Sequence, residues 1–210
     1  MKTLFRIVTV MLVLTSLTAF ASSPNPDYVF RTSKENRVVT ENGEFDKALI
    51  QEPVLVTSIG QSADVSMLDA LLKKVGATYT FNATAPAEEL AKYKTVIIAA
   101  GASSKGLGAA GISQEDELAR AEAMMKAVEE NEITVILMHL GGASRRGTLS
   151  DRFSDMVLEK ASYIIMVEDG NQDNKFTEAA VEKEAPITLL STIADAMTVL
   201  KDLFTPAEAK

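Results

Sequence analysis

The chain has no cysteine among its 210 residues. Without thiols it cannot form disulfides, thiolate zinc sites or iron–sulfur clusters, and it cannot use a cysteine nucleophile. His139 is the single histidine. One histidine without cysteine gives weak support for a transition-metal site, and no G-x-S-x-G turn is present to support a Ser-His-Asp triad. We therefore expect no bound cofactor.

Basic residues are also scarce. Lys and Arg number 21 against 29 Asp and Glu, which gives a formal charge of −8 and a pI near 4.8. An acidic chain without a basic stripe is a poor candidate for binding nucleic acid. Hydrophobic residues make up 47% of the chain and charged residues 24%. These fractions are typical of a globular domain that folds without a metal or a disulfide.

The N-terminus has the pattern of a bacterial export signal. Lys2 and Arg6 flank the start of a largely apolar stretch, Ile7–Phe20, and Ala19-Phe20-Ala21 fits an A-x-A cleavage site. A helix of that length would span about 21 Å, less than the ~30 Å hydrocarbon core of a bilayer. We expect cleavage of residues 1–21, a periplasmic or secreted protein that begins at Ser22, and no integral membrane segment after cleavage.

Residues 22–52 are interpreted as an N-terminal tether, and residues 53–205 as a single α/β domain. Ser22-Ser23-Pro24-Asn25-Pro26 is typical loop sequence. Asn42-Gly43, between Val38-Val39 and Phe45, predicts a small hairpin within the tether.

Six short apolar runs alternate with segments of helical periodicity. The runs are Val54–Ser58, Ala77–Phe81, Thr95–Ala99, Thr134–Met138, Tyr163–Val167 and Ile187–Leu190. Four of them are apolar without alternation, which is the pattern of strands buried on both faces of a parallel sheet. The sequence therefore predicts a doubly wound, mostly parallel α/β sheet of about six strands, in either flavodoxin-like or Rossmann-like order.

Several motifs predict where the intervening helices begin and end. Apolar residues at steps of three and four from Val65 to Val75 end at Gly76, a favourable C-terminal cap. Weaker helices are expected after Pro86 and after Phe176. Capping boxes predict three further helix starts, at Ser113-x-x-Asp116, Thr148-x-x-Asp151 and Thr192-x-x-Asp195.

Ligands of doubly wound sheets bind outside the carboxyl ends of the strands, so the loops that follow the strands hold the candidate site. Four such loops carry glycines, hydroxyls or charges in unusual density. The candidate ligand-binding residues are Ser58, Gln61, Ser62, Ser104, Lys105, His139, Arg145, Arg146, Asn171 and Asp173.

The stretch Gly101–Gly111 contains a formal G-x-G-x-x-G, Gly106 to Gly111. It does not follow the first strand, as a dinucleotide fingerprint would, and Leu107 stands where a P-loop requires lysine. The remaining interpretations are a flexible surface loop, or a backbone cradle for a ligand to which Lys105 adds positive charge.

Arg145 and Arg146 lie between glycines just before a predicted helix. Arginine offers a planar fork for carboxylate or phosphate, and a helix start adds amide donors, so this pair predicts an anion site. The alternative is that one arginine pairs with Asp151 or Asp155 and the other is solvated. His139 is expected to lie beneath these loops as a hydrogen-bonded residue at a strand end.

Asp169, Asn171 and Asp173 follow the D-x-N-x-D spacing of calcium loops. Asn174 replaces the usual glycine, and Ala180 replaces the glutamate that normally supplies two ligating oxygens. Calcium is therefore the weaker interpretation. A polar turn that caps a helix and a ligand-facing loop are the alternatives.

The loop sequences SIGQSAD, SSKGLGAAG, GGxxRRGxLSD and GNxDxxF, which start at Ser58, Ser103, Gly141 and Gly170, resemble an exported bacterial family of unknown function. The resemblance covers roughly residues 53–204. It implies export and a single α/β domain, and it implies no activity. More loosely, the chain is similar to one lobe of a solute-binding protein.

Three functions remain open from the sequence. The first is an exported binding protein for a small anionic metabolite, which would serve a membrane partner. The second is a protein-interaction module of the cell envelope. The third is a hydrolase or lyase for a small polar substrate, with Asp169, Asp173 or His139 as acid or base.

Overall fold

All six predicted runs are strands, and a seventh strand precedes them. The computed structural model describes residues 37–205. The strands are β1 (Val38–Glu41), β2 (Val54–Ile59), β3 (Thr80–Phe81), β4 (Thr95–Ala100), β5 (Thr134–His139), β6 (Tyr163–Val167) and β7 (Ile187–Leu190). They form one mixed sheet in the order β1-β7-β6-β5-β4-β2-β3, parallel except for β1. The expected α/β class is confirmed, with one more strand than about six.

The strand order reverses direction at β2. From β2 the chain moves to β3 at one edge, then returns across β2 to β4 and proceeds outward to β7. The loops after β2 and β4 therefore leave the sheet side by side and turn to opposite faces. This is the position at which ligands bind in doubly wound sheets.

The predicted hairpin around Asn42-Gly43 is wrong. Val38–Glu41 pairs antiparallel with β7, Val38 opposite Leu190, instead of with a returning strand. The turn itself is present, since Asn42 and Gly43 both have positive φ, and the Asn42 amide donates to the carbonyls of Ala180 and Ala185. These bonds tie the turn to the connection that leads into β7. The proposed signal segment, its cleavage site and residues 22–36 of the tether lie outside the described residues.

Helices cover both faces of the sheet. Their bounds are α1 (Asp64–Val75), α2 (Ser104–Ala110), α3 (Gln114–Glu130), α4 (Thr148–Lys160), α5 (Lys175–Glu182) and α6 (Ala196–Phe204). The stretch after Pro86 is a 3-10 helix, Ala87–Lys92, instead of an α-helix. Apolar residues of α1 and α6 pack on one face, with Val54 and Val56 of β2. Those of α3, α4 and α5 pack on the other, with Leu55 and Ile59.

Most of the predicted caps are present. Gly76 has a φ of 74° and ends α1, Ser113 accepts a hydrogen bond from the Asp116 amide, and Thr192 with Asp195 forms a capping box. The exception is Thr148, which lies inside α4, while Gly147 is the residue before the helix. The Asp151 carboxylate, in the first turn of α4, accepts a hydrogen bond from the Gly147 amide, but no threonine side chain caps the helix. Within residues 37–205, no helix has the length and apolar character needed to cross a bilayer.

Candidate functional site

Backbone-to-backbone contact closes the crevice between the β2 and β4 loops. Gly60 has a φ of 91°, and a Cβ atom added to it would lie 2.4 Å from the Gly101 carbonyl oxygen. A Cβ atom on Gly106 would lie 1.9 Å from the Gln61 carbonyl oxygen. Gln61 also forms a β-bridge with Ala102. Gly60 and Gly106 are needed here because two loops approach each other closely, and this approach leaves no backbone cradle for a ligand between them.

The predicted glycine-rich loop is largely helix α2. Ser103 caps the helix by accepting from the Gly106 amide at 3.0 Å, and Gly111 ends it with a φ of 68°. The flexible-loop interpretation is therefore wrong for Ser104–Ala110. Ser104 and Lys105 lie exposed in the first turn of α2, and among residues 37–205 the Lys105 ammonium has no ion-pair partner.

A buried ion pair on α3 supports the β2 loop from below. Glu117 is fully buried and accepts hydrogen bonds from the Gly60 amide at 2.7 Å and from the Gln61 side chain at 3.2 Å. Arg120 donates two 2.8 Å hydrogen bonds to the Glu117 carboxylate and also donates to the Ser58 carbonyl. Neither Glu117 nor Arg120 is among the residues predicted from the sequence. A signal for Glu117 exists, because it lies four residues before Ala121 on the buried face of α3.

Two of the candidate residues after β2 serve the fold. The Ser58 hydroxyl donates to the Ala99 carbonyl at 3.3 Å and is fully buried. The Gln61 amide donates to the Ala83 carbonyl as well as to Glu117. A ligand could reach neither side chain without displacing these bonds, so Ser58 and Gln61 are not part of the candidate site.

Arg145 binds the start of α1 through one nitrogen. Its Nε donates to the Ser62 hydroxyl at 3.2 Å and lies 3.3 Å from the Asp64 carboxylate, which is fully buried. The other carboxylate oxygen of Asp64 accepts from the Gly141 amide at 2.7 Å. The Arg145 side chain is 27% exposed. Within the described part of the chain, its two terminal nitrogens have no hydrogen-bond partner.

Arg146, by contrast, is saturated by acids. It forms ion pairs with Asp151 at 2.8 Å and with Asp173 at 2.7 Å, and its guanidinium lies 5.4 Å from the centre of the Phe176 ring. Partial burial opposes the charge, but hydrogen bonds to Asp173 and Asp151 outweigh it and raise the pKa of Arg146. Arg146 and Asp173 therefore serve the fold instead of facing a ligand, because Arg146 is paired with Asp173 and Asp151.

His139 lies beneath the Arg145 loop at the end of β5, where the sequence places it. It is fully buried, and its Nε2 lies 3.3 Å from the Arg145 carbonyl oxygen, which can only accept, so the proton belongs on Nε2. Among the described residues, Nδ1 has no hydrogen-bond partner. Burial lowers the pKa of His139, although the Asp64 charge acts in the opposite direction. A neutral, enclosed imidazole does not contact a ligand at the surface.

The lowered pKa of His139 makes the stability of the protein depend on pH. The unfolded chain takes up this proton at a higher pH than the folded chain does. The contribution of neutral His139 is therefore complete above pH ~6.5 and falls as the pH drops below it, by at most about 1.4 kcal/mol per pH unit. We expect His139→Gln, which keeps a side-chain donor but does not titrate, to remove this part of the slope. Urea titrations of both proteins between neutral and mildly acidic pH test this, and parallel slopes would contradict it.

The side-chain oxygens of Asp169, Asn171 and Asp173 each contact a different group of the protein. The Asp169 carboxylate accepts from the Ala143 amide at 3.1 Å, and the Asn171 side-chain oxygen accepts from the Phe176 amide at 2.9 Å. Asp173 pairs with Arg146, and Asn174 has a φ of 59°. This is the polar turn that leads into α5, and Asn171 is part of it instead of facing a ligand. No group of three acids or histidines within residues 37–205 is arranged to hold a metal ion.

Two clefts among the described residues lie away from Arg145. One of about 610 Å³ lies between Phe45–Ile50 and the end of α6, at the opposite edge of the sheet. Another of about 610 Å³ lies between α4 and α5. Arg145 lies at the carboxyl edge of the sheet, in the loop before α4, with 27% of its side chain exposed.

The sheet and its helices place the chain among the mixed α/β proteins with a mostly parallel sheet. A family model described as a domain of unknown function, DUF6305, matches residues 51–204, so the chain belongs to that family. This agrees with the resemblance to an uncharacterised family.

Two solved structures show a distant likeness. One is a GDSL-like lipase from Bacteroides thetaiotaomicron, with 13% identity, a TM-score of 0.29, and coverage of 67% of this chain and 72% of that chain. The other is a mutant of the esterase AlinE4, with 10% identity, a TM-score of 0.27, and coverage of 77% and 87%. No curated protein matches the chain. Likeness at these TM-scores supports no statement about activity.

Proposed function

We propose that this chain is an exported binding protein for a small anionic molecule, and that Arg145 holds the anion. The observation that carries the proposal is the asymmetry of Arg145. Its Nε is fixed by Ser62 and the buried Asp64, while its terminal nitrogens are left without partners among the described residues. A guanidinium whose stem is fixed and whose fork is free is preorganised for an oxyanion.

Two neighbouring segments border Arg145. The Arg145 Cβ lies 3.7 Å from the position a Cβ atom on Gly101 would take, and the Ser150 hydroxyl accepts from the Ala102 amide at 2.9 Å. The first turn of α4 and the start of the β4–α2 loop therefore border Arg145. The residue before α4, Gly147, offers no side-chain cap, so amides of that first turn remain available to an anion.

The hydrolase alternative has less support from the same contacts. His139 is enclosed and donates to a backbone carbonyl, and Asp173 is held in an ion pair with Arg146. The Ser62 hydroxyl, which is almost fully buried, accepts from the Asp64 amide and from Arg145. Hydrogen bonds and ion pairs within the loops already occupy these groups. The two terminal nitrogens of Arg145, by contrast, have no partner among the described residues.

The free fork can be tested without losing the charge that Asp64 needs. We expect Arg145→Lys to weaken anion binding by about 10-fold or more, because an ammonium cannot donate two parallel hydrogen bonds. Acetate, sulfate and methyl phosphate serve as probes at constant ionic strength. Binding is followed by thermal shift and by the NMR resonance of the arginine Nε–H groups.

Arg152→Lys is the matched control. Arg152 is exposed on α4, a few residues from Arg145, and makes no ion pair with the described residues. We expect this variant to bind like the wild type. Equal binding by Arg145→Lys and Arg152→Lys, or no response of the Arg145 resonance to any of the three probes, would contradict the proposal. Arg145→Ala is a poorer test, because it leaves the buried Asp64 carboxylate without its cation.

A further inference from the structure

We infer that the Arg145 site selects a singly charged carboxylate over doubly charged anions such as sulfate or a phosphate monoester. The inference rests on the proposed function and adds the ligand class. Its basis is the set of charges that surrounds the free fork.

Asp64 opposes the positive charge of Arg145. Its carboxylate is fully buried and lies 3.3 Å from Nε. A bound anion therefore meets a guanidinium that already has a partner on its other side. A second negative charge on the ligand would be attracted by Arg145 and repelled by Asp64, so it would gain little.

The surrounding loop adds further negative charge. Asp151 accepts from the Gly147 amide, Asp169 accepts from the Ala143 amide, and Asp173 pairs with Arg146. Carboxylates around the segment Gly141–Gly147 thus outnumber guanidiniums: Asp64, Asp151, Asp169 and Asp173 against Arg145 and Arg146. Removing water from a doubly charged ligand costs more free energy than removing it from a singly charged one. Attraction to the two guanidiniums does not offset that cost, because the carboxylates repel the second charge.

The free atoms of Arg145 also match a carboxylate in shape. With Nε occupied, the guanidinium presents its two terminal nitrogens end-on. Two coplanar carboxylate oxygens accept from such a fork in parallel. The fork supplies direction, while the excess of carboxylates around it limits the ligand to one negative charge.

The test compares acetate with sulfate on the whole mature protein, with ionic strength held constant by chloride. The chemical shift of the Arg145 Nε–H group reports binding at this residue. We expect acetate to half-saturate the shift at a concentration about 10-fold lower than sulfate does. Methyl phosphate, measured above its second pKa, should behave like sulfate.

Two variants separate charge from hydrogen bonding. Asp64→Asn removes the buried charge and keeps an acceptor for the Gly141 amide, so sulfate should gain on acetate by about 10-fold. Ser62→Ala removes one Nε contact without a change of charge, so both anions should weaken together and the preference should persist.

The possible results distinguish carboxylate selectivity from anion binding itself. Sulfate binding as tightly as acetate, or more tightly, in the wild-type protein would overturn the carboxylate inference and leave anion binding intact. If neither probe moves the Arg145 resonance, the proposed function fails as well. The wild-type comparison decides the question even if Asp64→Asn does not fold.

Discussion

Replacing Glu117 by glutamine is expected to destabilise the protein by about 3 kcal/mol, although the residue does not contact Arg145. Glu117 is fully buried, and Arg120 is 13% exposed. Removing one partner of a buried ion pair leaves the other charge without compensation, at a cost of about 3–5 kcal/mol. Glutamine keeps one acceptor for the Gly60 amide, which places the expected loss at the lower end.

Urea denaturation of Glu117→Gln and of a control on the same helix measures this loss. Glu122 lies exposed on α3 and makes no ion pair with the described residues, so Glu122→Gln should change the free energy of unfolding by less than ~0.5 kcal/mol. A loss below about 1 kcal/mol in Glu117→Gln would show that water replaces the missing charge and that the pair is not needed.

The double replacement Glu117→Gln with Arg120→Met distinguishes a pair from a network. If the two residues only neutralise each other, removing both should restore most of the stability. We expect incomplete recovery, because Arg120 also donates to the carbonyls of Ser58 and Ala85. Those carbonyls would lose their donors in the double variant.

Most of the strands and helix ends could be predicted from the sequence, because they depend on residues close together in the chain. Unbroken apolar runs such as Val96-Ile97-Ile98 predict buried parallel strands, and these residues are fully buried in β4. Gly76 and Ser113 mark helix ends through backbone geometry that acts within a few residues. The partner of β1 was predicted wrongly, because the true partner, β7, lies about 150 residues further along the chain.

The candidate site was only partly readable, since charge pairing is decided in space. Arg145 and Arg146 are adjacent in the sequence, yet one pairs with Asp64 and the other with Asp151 and Asp173. Only the contact with Asp151 is local, and it matches the alternative considered from the sequence. The partners of Arg145 are Asp64, at the start of α1, and Ser62, just before it, both more than 80 residues earlier. No spacing rule could therefore reveal which arginine keeps a free fork.

The second large effect concerns Gly106, and Gly108 in the same helix provides its control. We expect Gly106→Ala to destabilise the protein by about 2–3 kcal/mol, because the added methyl would lie 1.9 Å from the Gln61 carbonyl oxygen. A backbone atom cannot rotate away, so the β2 loop and α2 must separate. Gly108 has nothing within 4 Å of its added Cβ, and Gly108→Ala should stabilise α2 by about 0.5–1 kcal/mol.

The same pair of variants connects loop packing to the proposed site. Gln61 precedes Ser62, whose hydroxyl accepts from Arg145, so movement of Gln61 displaces a group that fixes the guanidinium. We expect Gly106→Ala to weaken acetate binding along with stability, and Gly108→Ala to leave it unchanged. Thermal unfolding and the Arg145 Nε–H titration measure both effects on the same samples. If the two variants were equally stable, the loops would be loose enough to admit a methyl group, and the close contact between them would not be what positions Arg145.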